Sequence, residues 1–161
     1  MPSVFQVQAT DGNNPLPKLD RTEAARALAI LADPAAGIQL QAIPFGHHVT
    51  VAGHAVDQFS TAIDRVAHGN WIYVILNPVA IGLTHCATAE DITRRRWLMV
   101  DCDADREDTG VMATAEEHER ARRLAEDVMD YLAGLDWAVP VMIDSGNGYH
   151  QLYRIDRKSV V

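Results

Sequence analysis

Residues 143–156 read IDSGNGYHQLYRID. The stretch leaves an apolar strand at Ile143, passes two glycines and resumes at His150 with strand alternation. Asn147-Gly148 alone would make a two-residue hairpin, with His150 a surface strand residue. Ser145 and Gly146 open a second reading. Gly146 and Gly148 let the backbone approach a ligand closely or take positive φ, and such turns can aim several N–H groups at an anion. Ser145 adds a hydroxyl, and His150 can donate to a phosphate oxygen. Tyr149 and Tyr153, at strand spacing, read as packing residues.

Upstream, the pattern alternates between helices and strands. PVMIDS (140–145) and HQLYRI (150–155) flank the loop as strands. Before them a helix opens at a Thr114–Glu117 capping box. It carries Ala121, Leu124, Ala125, Val128, Tyr131 and Leu132 on one face and ends at Gly134. RWLMVDCD (96–103) and WIYVILNPV (71–79) are apolar enough for strands buried on both faces, the latter ended by Asn77-Pro78. A short helical stretch near 88–93 separates them. VDQFSTAIDRVAH (56–68) places Val56, Phe59, Ile63 and Val66 at helical spacing, with Gly69 as its C-cap. GIQLQAIPF (37–45) alternates as a strand through Ile38 and Leu40. DRTEAARALAILADP (20–34) is a helix with an Asp20–Glu23 capping box and Pro34 as its stop. Residues 1–19 form an irregular lead-in. The expected fold class is α/β (α+β), with one mixed β-sheet flanked by helices.

The chemistry begins in LMVDCD. Strand alternation puts Asp101 and Asp103 on one face and Cys102 on the other. Two close carboxylates resist ionising together unless a cation lies between them, and Mg²⁺ or Mn²⁺ takes carboxylate oxygens together with substrate phosphates. An isolated D-x-D also fits a strand running out into a solvated acidic loop, the reading given to Asp105, Glu107 and Asp108. The preceding Arg94-Arg95-Arg96 either grips phosphates or forms a solvated edge, of which the second is the commoner use. His47, His48 and His54 read as loop histidines, since no cysteine or carboxylate completes a ligand set in their spacing. His68, His85 and His118 stand alone. There is no phosphate-binding G-x-x-x-x-G-K-[ST] loop and no G-x-S-x-G elbow.

The bulk numbers exclude other classes. A chain of 161 residues suits one domain with a real core. Its net charge of −8 argues against a domain that coats nucleic acid electrostatically, though not against an enzyme acting on nucleotides. Cys86 and Cys102 have no paired spacing and read as reduced thiols. With no signal-peptide pattern and no membrane-length apolar run, a cytoplasmic protein without a membrane partner is expected.

Taken together, the segments LNPV (76–79), DITRRRWLMVDCDADR (91–106) and DSGNGYHQLYRID (144–156) resemble the archaeo-eukaryotic primase superfamily. They look most like the prim-pol (bifunctional DNA primase/polymerase) branch of phages and mobile elements. The resemblance implies an RRM-like primase-polymerase core. It implies catalytic metals, Mg²⁺ or Mn²⁺, on Asp101 and Asp103, and a triphosphate contact at His150. Ser145, Gly146, Asn147 and Gly148 then form the nucleotide-binding loop. The implied partners are a (d)NTP, a single-stranded DNA template, and a helicase or a C-terminal segment. The family's third motif, an aspartate on a later strand, has no counterpart at Asp144 or Asp156. Residues 20–161 are accordingly expected to be the N-terminal part of a catalytic domain. The expected function is metal-dependent nucleotidyl transfer to a 3′-hydroxyl. Two alternatives stay open: a catalytically degenerate domain that binds nucleotide or a replication partner, and a D-x-D transferase using a metal-nucleotide donor.

Overall fold

The structure, a computed structural model, describes residues 20–43, 46–68, 71–106 and 112–156. The lead-in 1–19, the Gly69 cap, Glu107 and Asp108 lie outside them. The chain divides into two compact units, Met1–Arg95 and Arg96–Val161. Among the described residues they hold three α-helices and two antiparallel three-stranded sheets.

In the first unit, helix α1 (Arg21–Leu31) starts where the Asp20 carboxylate accepts from the Thr22 and Glu23 N–H groups. Glu23 does not complete the expected capping box; its carboxylate meets Arg26 instead. Strands β1 (Gly37–Ile43), β2 (His48–Ala52) and β3 (Trp71–Val79) form a sheet in the order β2-β1-β3. The expected elements did not include β2. Its first residue, His48, is therefore a strand residue and not a loop histidine. The helical segment at 56–68 opens as a 3-10 turn, Val56–Gln58, and continues as α2 (Phe59–Val66). Phe59, Ala62, Ile63 and Val66 are buried in α2, while Val56 stays exposed. Strand β3 spans 71–79 as expected, with Asn77-Pro78 inside it and not beyond its end. The β1–β3 register shifts between Gly37 and Gln39, and such an irregularity tolerates a proline without an N–H. Val74, Ile75 and Leu76 are consecutively buried, as a strand covered on both faces requires.

The second unit carries the candidate site. Strand β4 (Trp97–Asp103) leads to α3 (Ala115–Ala133), then to β5 (Val141–Asp144) and β6 (Gly148–Arg154). The strand order is β4-β6-β5, with β6 antiparallel to both neighbours. This corrects the expectation of a mixed sheet. The helical crossover makes β4 and β5 run the same way, but the tight loop inserts the returning β6 between them, so no parallel pair forms. Strand β4 is also less covered than its apolar composition suggested: Trp97 and Cys102 are buried, and Leu98 is exposed.

Helix α3 packs on β6 and β4. Its buried contacts are made by Ala121 and Ala125, whose small side chains let the helix lie close to the strands, while Leu124 and Tyr131 are exposed. One buried amide secures this packing. Gln151 is fully buried, donates to the Ala125 carbonyl of α3 and accepts from the Tyr153 hydroxyl at 2.9 Å. The predicted Thr114–Glu117 capping box is formed in both directions. Thr114→Ala should therefore cost about 1 kcal/mol of unfolding free energy, read as a lower urea midpoint; an unchanged midpoint would show that the box contributes nothing.

Candidate functional site

The β4–β6 register decides what the two motifs do to each other. Asp101 lies directly opposite His150, Cys102 opposite Tyr149, and Asp103 opposite Gly148. Directly opposed residues share a face. One face of the sheet thus carries Asp101, Asp103 and His150. The other carries Cys102, Tyr149, Gln151 and Tyr153, toward α3.

His150 is not a surface residue. It is only 8% exposed, and its Nε2 sits 3.3 Å from Asp101 Oδ1. Burial raises the Asp101 carboxyl above its ordinary value; His150 opposes that rise and the charge of Asp103 adds to it. Cys102, buried on the far face, is pushed up by burial and then by the two carboxylates. Because the folded Asp101 holds its proton to higher pH than the unfolded chain does, stability falls as pH rises through the window between those two values. Asp101→Asn should therefore gain thermal stability over the wild type at pH 7 and lose that advantage near pH 3. Melting curves with equal offsets at both pH values would contradict this.

The loop from Ser145 to Gly148 is built largely on itself. The Ser145 hydroxyl donates to the Gly148 carbonyl and accepts from the Gly148 N–H, each at 3.1 Å. The Ser145 N–H also donates to the Gly148 carbonyl, and the Gly146 N–H donates to Asp144 Oδ1 at 2.8 Å. Only Gly146, at φ +82°, takes positive φ here, so the turn is not the Asn-Gly hairpin, which needs it at both Asn147 and Gly148. Three N–H groups that the sequence left available to an anion are thus engaged inside the loop.

Asn147 is turned inward. Its Oδ1 accepts from the Ala113 N–H at 3.0 Å and its carbonyl from Ala104, so it joins the loop to the approach of α3 and the exit of β4. Gly148 answers a different need. A Cβ there would meet the Cys102 carbonyl oxygen at 2.4 Å and Asp103 Cα at 2.8 Å. Its missing side chain lets β6 begin flush against the Asp103 end of β4.

On this face Asp101 and Asp103 are the side chains that could hold a metal. Their hard oxygen donors and the raised Asp101 carboxyl, which a cation would relieve, fit Mg²⁺ or Mn²⁺. Among the described residues no group of three His, Cys, Asp or Glu side chains forms a metal cage. Two carboxylates nonetheless match the usual Mg²⁺ arrangement, in which waters and substrate phosphates complete the shell.

Other expectations shift in the folded chain. Arg96 is buried and pairs with Asp156 at 3.6 Å, and Arg94 pairs with the buried Asp33. Arg96 is therefore structural, whereas Arg94, half exposed, and the exposed Arg95 form a solvated edge. Asp105 is exposed, and its carbonyl accepts from Arg120 at 3.4 Å. His48 Nδ1 lies 3.5 Å from Cys86 Sγ, a pairing that separation along the chain hides. His54 contacts the Pro34 carbonyl.

Two histidines that stood alone in the sequence have carboxylate partners: His85 with Asp91, and His118 with Asp144 at 2.9 Å. Tyr153 is buried packing, and Tyr149 lies against the His118 ring. Burial first, and then the Asp144 charge, raise the Tyr149 hydroxyl. His118 and Asp144 were not among the expected site residues, and no local spacing marks them. No helix among the described residues is long and apolar enough to cross a membrane. No family model, curated protein or solved structure gives a significant match to this chain.

Proposed function

We propose that the Arg96–Val161 unit is the metal- and triphosphate-binding part of a primase-polymerase-type nucleotidyltransferase. The observation that carries this reading is the register that sets Asp101 opposite His150, with Asp103 beside Gly148. Supporting it is the β4–α3–β5–β6 order with the last strand in the middle, a split β-α-β arrangement compatible with an RRM-like core.

In this reading Asp101 and Asp103 hold Mg²⁺ or Mn²⁺, and His150 donates to a triphosphate oxygen. The Ser145–Gly148 loop fixes where β6, and so His150, begins. A bound ion of this kind neutralises triphosphate charge and lowers the pKa of an attacking 3′-hydroxyl. With His150 already against Asp101, the imidazole is available as a donor once that carboxylate turns to a cation. A single-stranded DNA template and a helicase partner belong to this proposal through the family resemblance alone.

Calorimetry with a dNTP, with and without Mn²⁺, is the direct test. Binding that tightens at least tenfold with Mn²⁺ is expected. Metal-independent binding, or none, would overturn the assignment. A second reading, binding without catalysis, is favoured by the two carboxylates that the described residues set on the shared face. It is separated from the first by template-directed primer extension with Mn²⁺, in which a bound dNTP is either incorporated or not.

A further inference from the structure

The glycine loop is tied to the start of α3 at two points, one just before the helix and one in its first turn. One is Ala113 N–H on Asn147 Oδ1. The other passes through a carboxylate. Asp144 Oδ1 accepts from the Gly146 N–H at 2.8 Å and meets His118 Nε2 at 2.9 Å. The His118 ring in turn lies 4.9 Å from the Tyr149 ring, centroid to centroid and tilted by 41°. Tyr149 is the residue immediately before His150, and in the register it faces both Asp144 and Cys102. A single imidazole thus touches the end of β5 and the start of β6, on either side of the loop.

We propose that His118 and Asp144 are positioning residues that hold the Ser145–Gly148 loop in its nucleotide-binding shape. This rests on the reading of the Asp101–Asp103–His150 face as a nucleotide site. The physical case starts from Asp144. Its side chain is half exposed, so the bond from the Gly146 N–H competes with water unless further donors, the Tyr149 hydroxyl among them, hold the carboxylate. His118 supplies a second donor to the same oxygen and is itself braced by the Tyr149 ring, so the carboxylate is fixed from two directions. The turn at Gly146, at φ +82°, depends on that carboxylate for its N–H partner. The loop in turn sets where Gly148 meets Asp103, and the β6 register then delivers His150 to Asp101. The pair touches no part of that face directly. It acts through the loop.

The test uses the full chain and three variants, His118→Ala, His118→Gln and Asp144→Asn. Two measurements are made on each: amide hydrogen exchange at Gly146 and Gly148, and the affinities for Mn²⁺ alone and for dATP with Mn²⁺. His118→Ala should speed exchange at Gly146 about tenfold, as loss of one charge-assisted bond predicts. It should weaken dATP by a similar factor and leave Mn²⁺ alone unchanged, because the metal carboxylates lie on β4. His118→Gln, which keeps an N–H donor, should recover most of both losses. Asp144→Asn keeps an acceptor for Gly146 but loses the charge, and should fall between.

Unchanged exchange at Gly146 in His118→Ala would overturn the proposal. So would an equal loss of Mn²⁺ and dATP affinity, which marks general destabilisation. If the wild type binds no dATP while His118→Ala still speeds exchange, the loop tie stands and the nucleotide reading of the face falls.

Discussion

Gly148→Val is expected to abolish most of the folded population of the Arg96–Val161 unit, and Gly148→Ala to cost it about 3 kcal/mol. The reason is backbone, not side chain. The atoms a Cβ would strike, the Cys102 carbonyl oxygen at 2.4 Å and Asp103 Cα at 2.8 Å, cannot rotate away. They can recede only if β4 and β6 part at the Cys102–Tyr149 and Asp103–Gly148 pairs. That movement would disturb the pairing that holds β6 in register. A small domain has roughly 5–15 kcal/mol in all, so the alanine cost is a large fraction and valine, with two further methyls, exceeds it. Urea denaturation followed by tryptophan fluorescence reads the effect, since Trp97 and Trp137 both lie in this unit. A valine variant with a midpoint near the wild type would show that the strands separate at little cost, and the close approach at Gly148 would lose its significance.

The second large effect concerns the acidic face. Asp101→Asn combined with Asp103→Asn should remove the metal dependence of dNTP binding altogether, lowering affinity in Mn²⁺ to that measured without it. His150→Ala should behave differently. It should keep Mn²⁺ binding and lose about tenfold to a hundredfold in dNTP affinity, the range for one hydrogen bond to a charged group. The contrast matters because His150 and Asp101 touch each other. A merely structural contact would make the histidine and aspartate variants alike, whereas a shared ligand site separates metal from nucleotide. Paramagnetic resonance of free Mn²⁺ measures the metal, and calorimetry the nucleotide. If the double asparagine variant still binds Mn²⁺ as the wild type does, the carboxylates are a solvated strand end and the proposed function fails with them.

Much of the architecture was legible because its causes are local. The Thr114–Glu117 box, the apolar runs of β3 and β4 and the turn signals around Gly146 each declare themselves within a few residues. The division of Asp101 and Asp103 from Cys102 needed only strand alternation. Where local pattern misled, a longer-range partner had intervened. Arg96 is charged but buried because Asp156, from beyond the end of β6, reaches it. Strand β2 was different: HVTVA does alternate, with Val49 and Val51 buried between half-buried neighbours, a local signal passed over in a strand of only five residues.

The loop in IDSGNGYHQLYRID separates the two levels. Its composition alone marked a turn with a serine, two glycines and a histidine at its exit, and strand alternation alone put two carboxylates on one face of another strand. Neither could say that Asp101 meets His150, since a shift of one residue in the β4–β6 register would have turned the histidine to the α3 side. Tertiary structure decided that register, through the close approach at Gly148, and it alone brought His118 to Asp144. Residues 26 apart in sequence come within hydrogen-bond reach only when a helix crosses over a sheet and a loop returns beneath it.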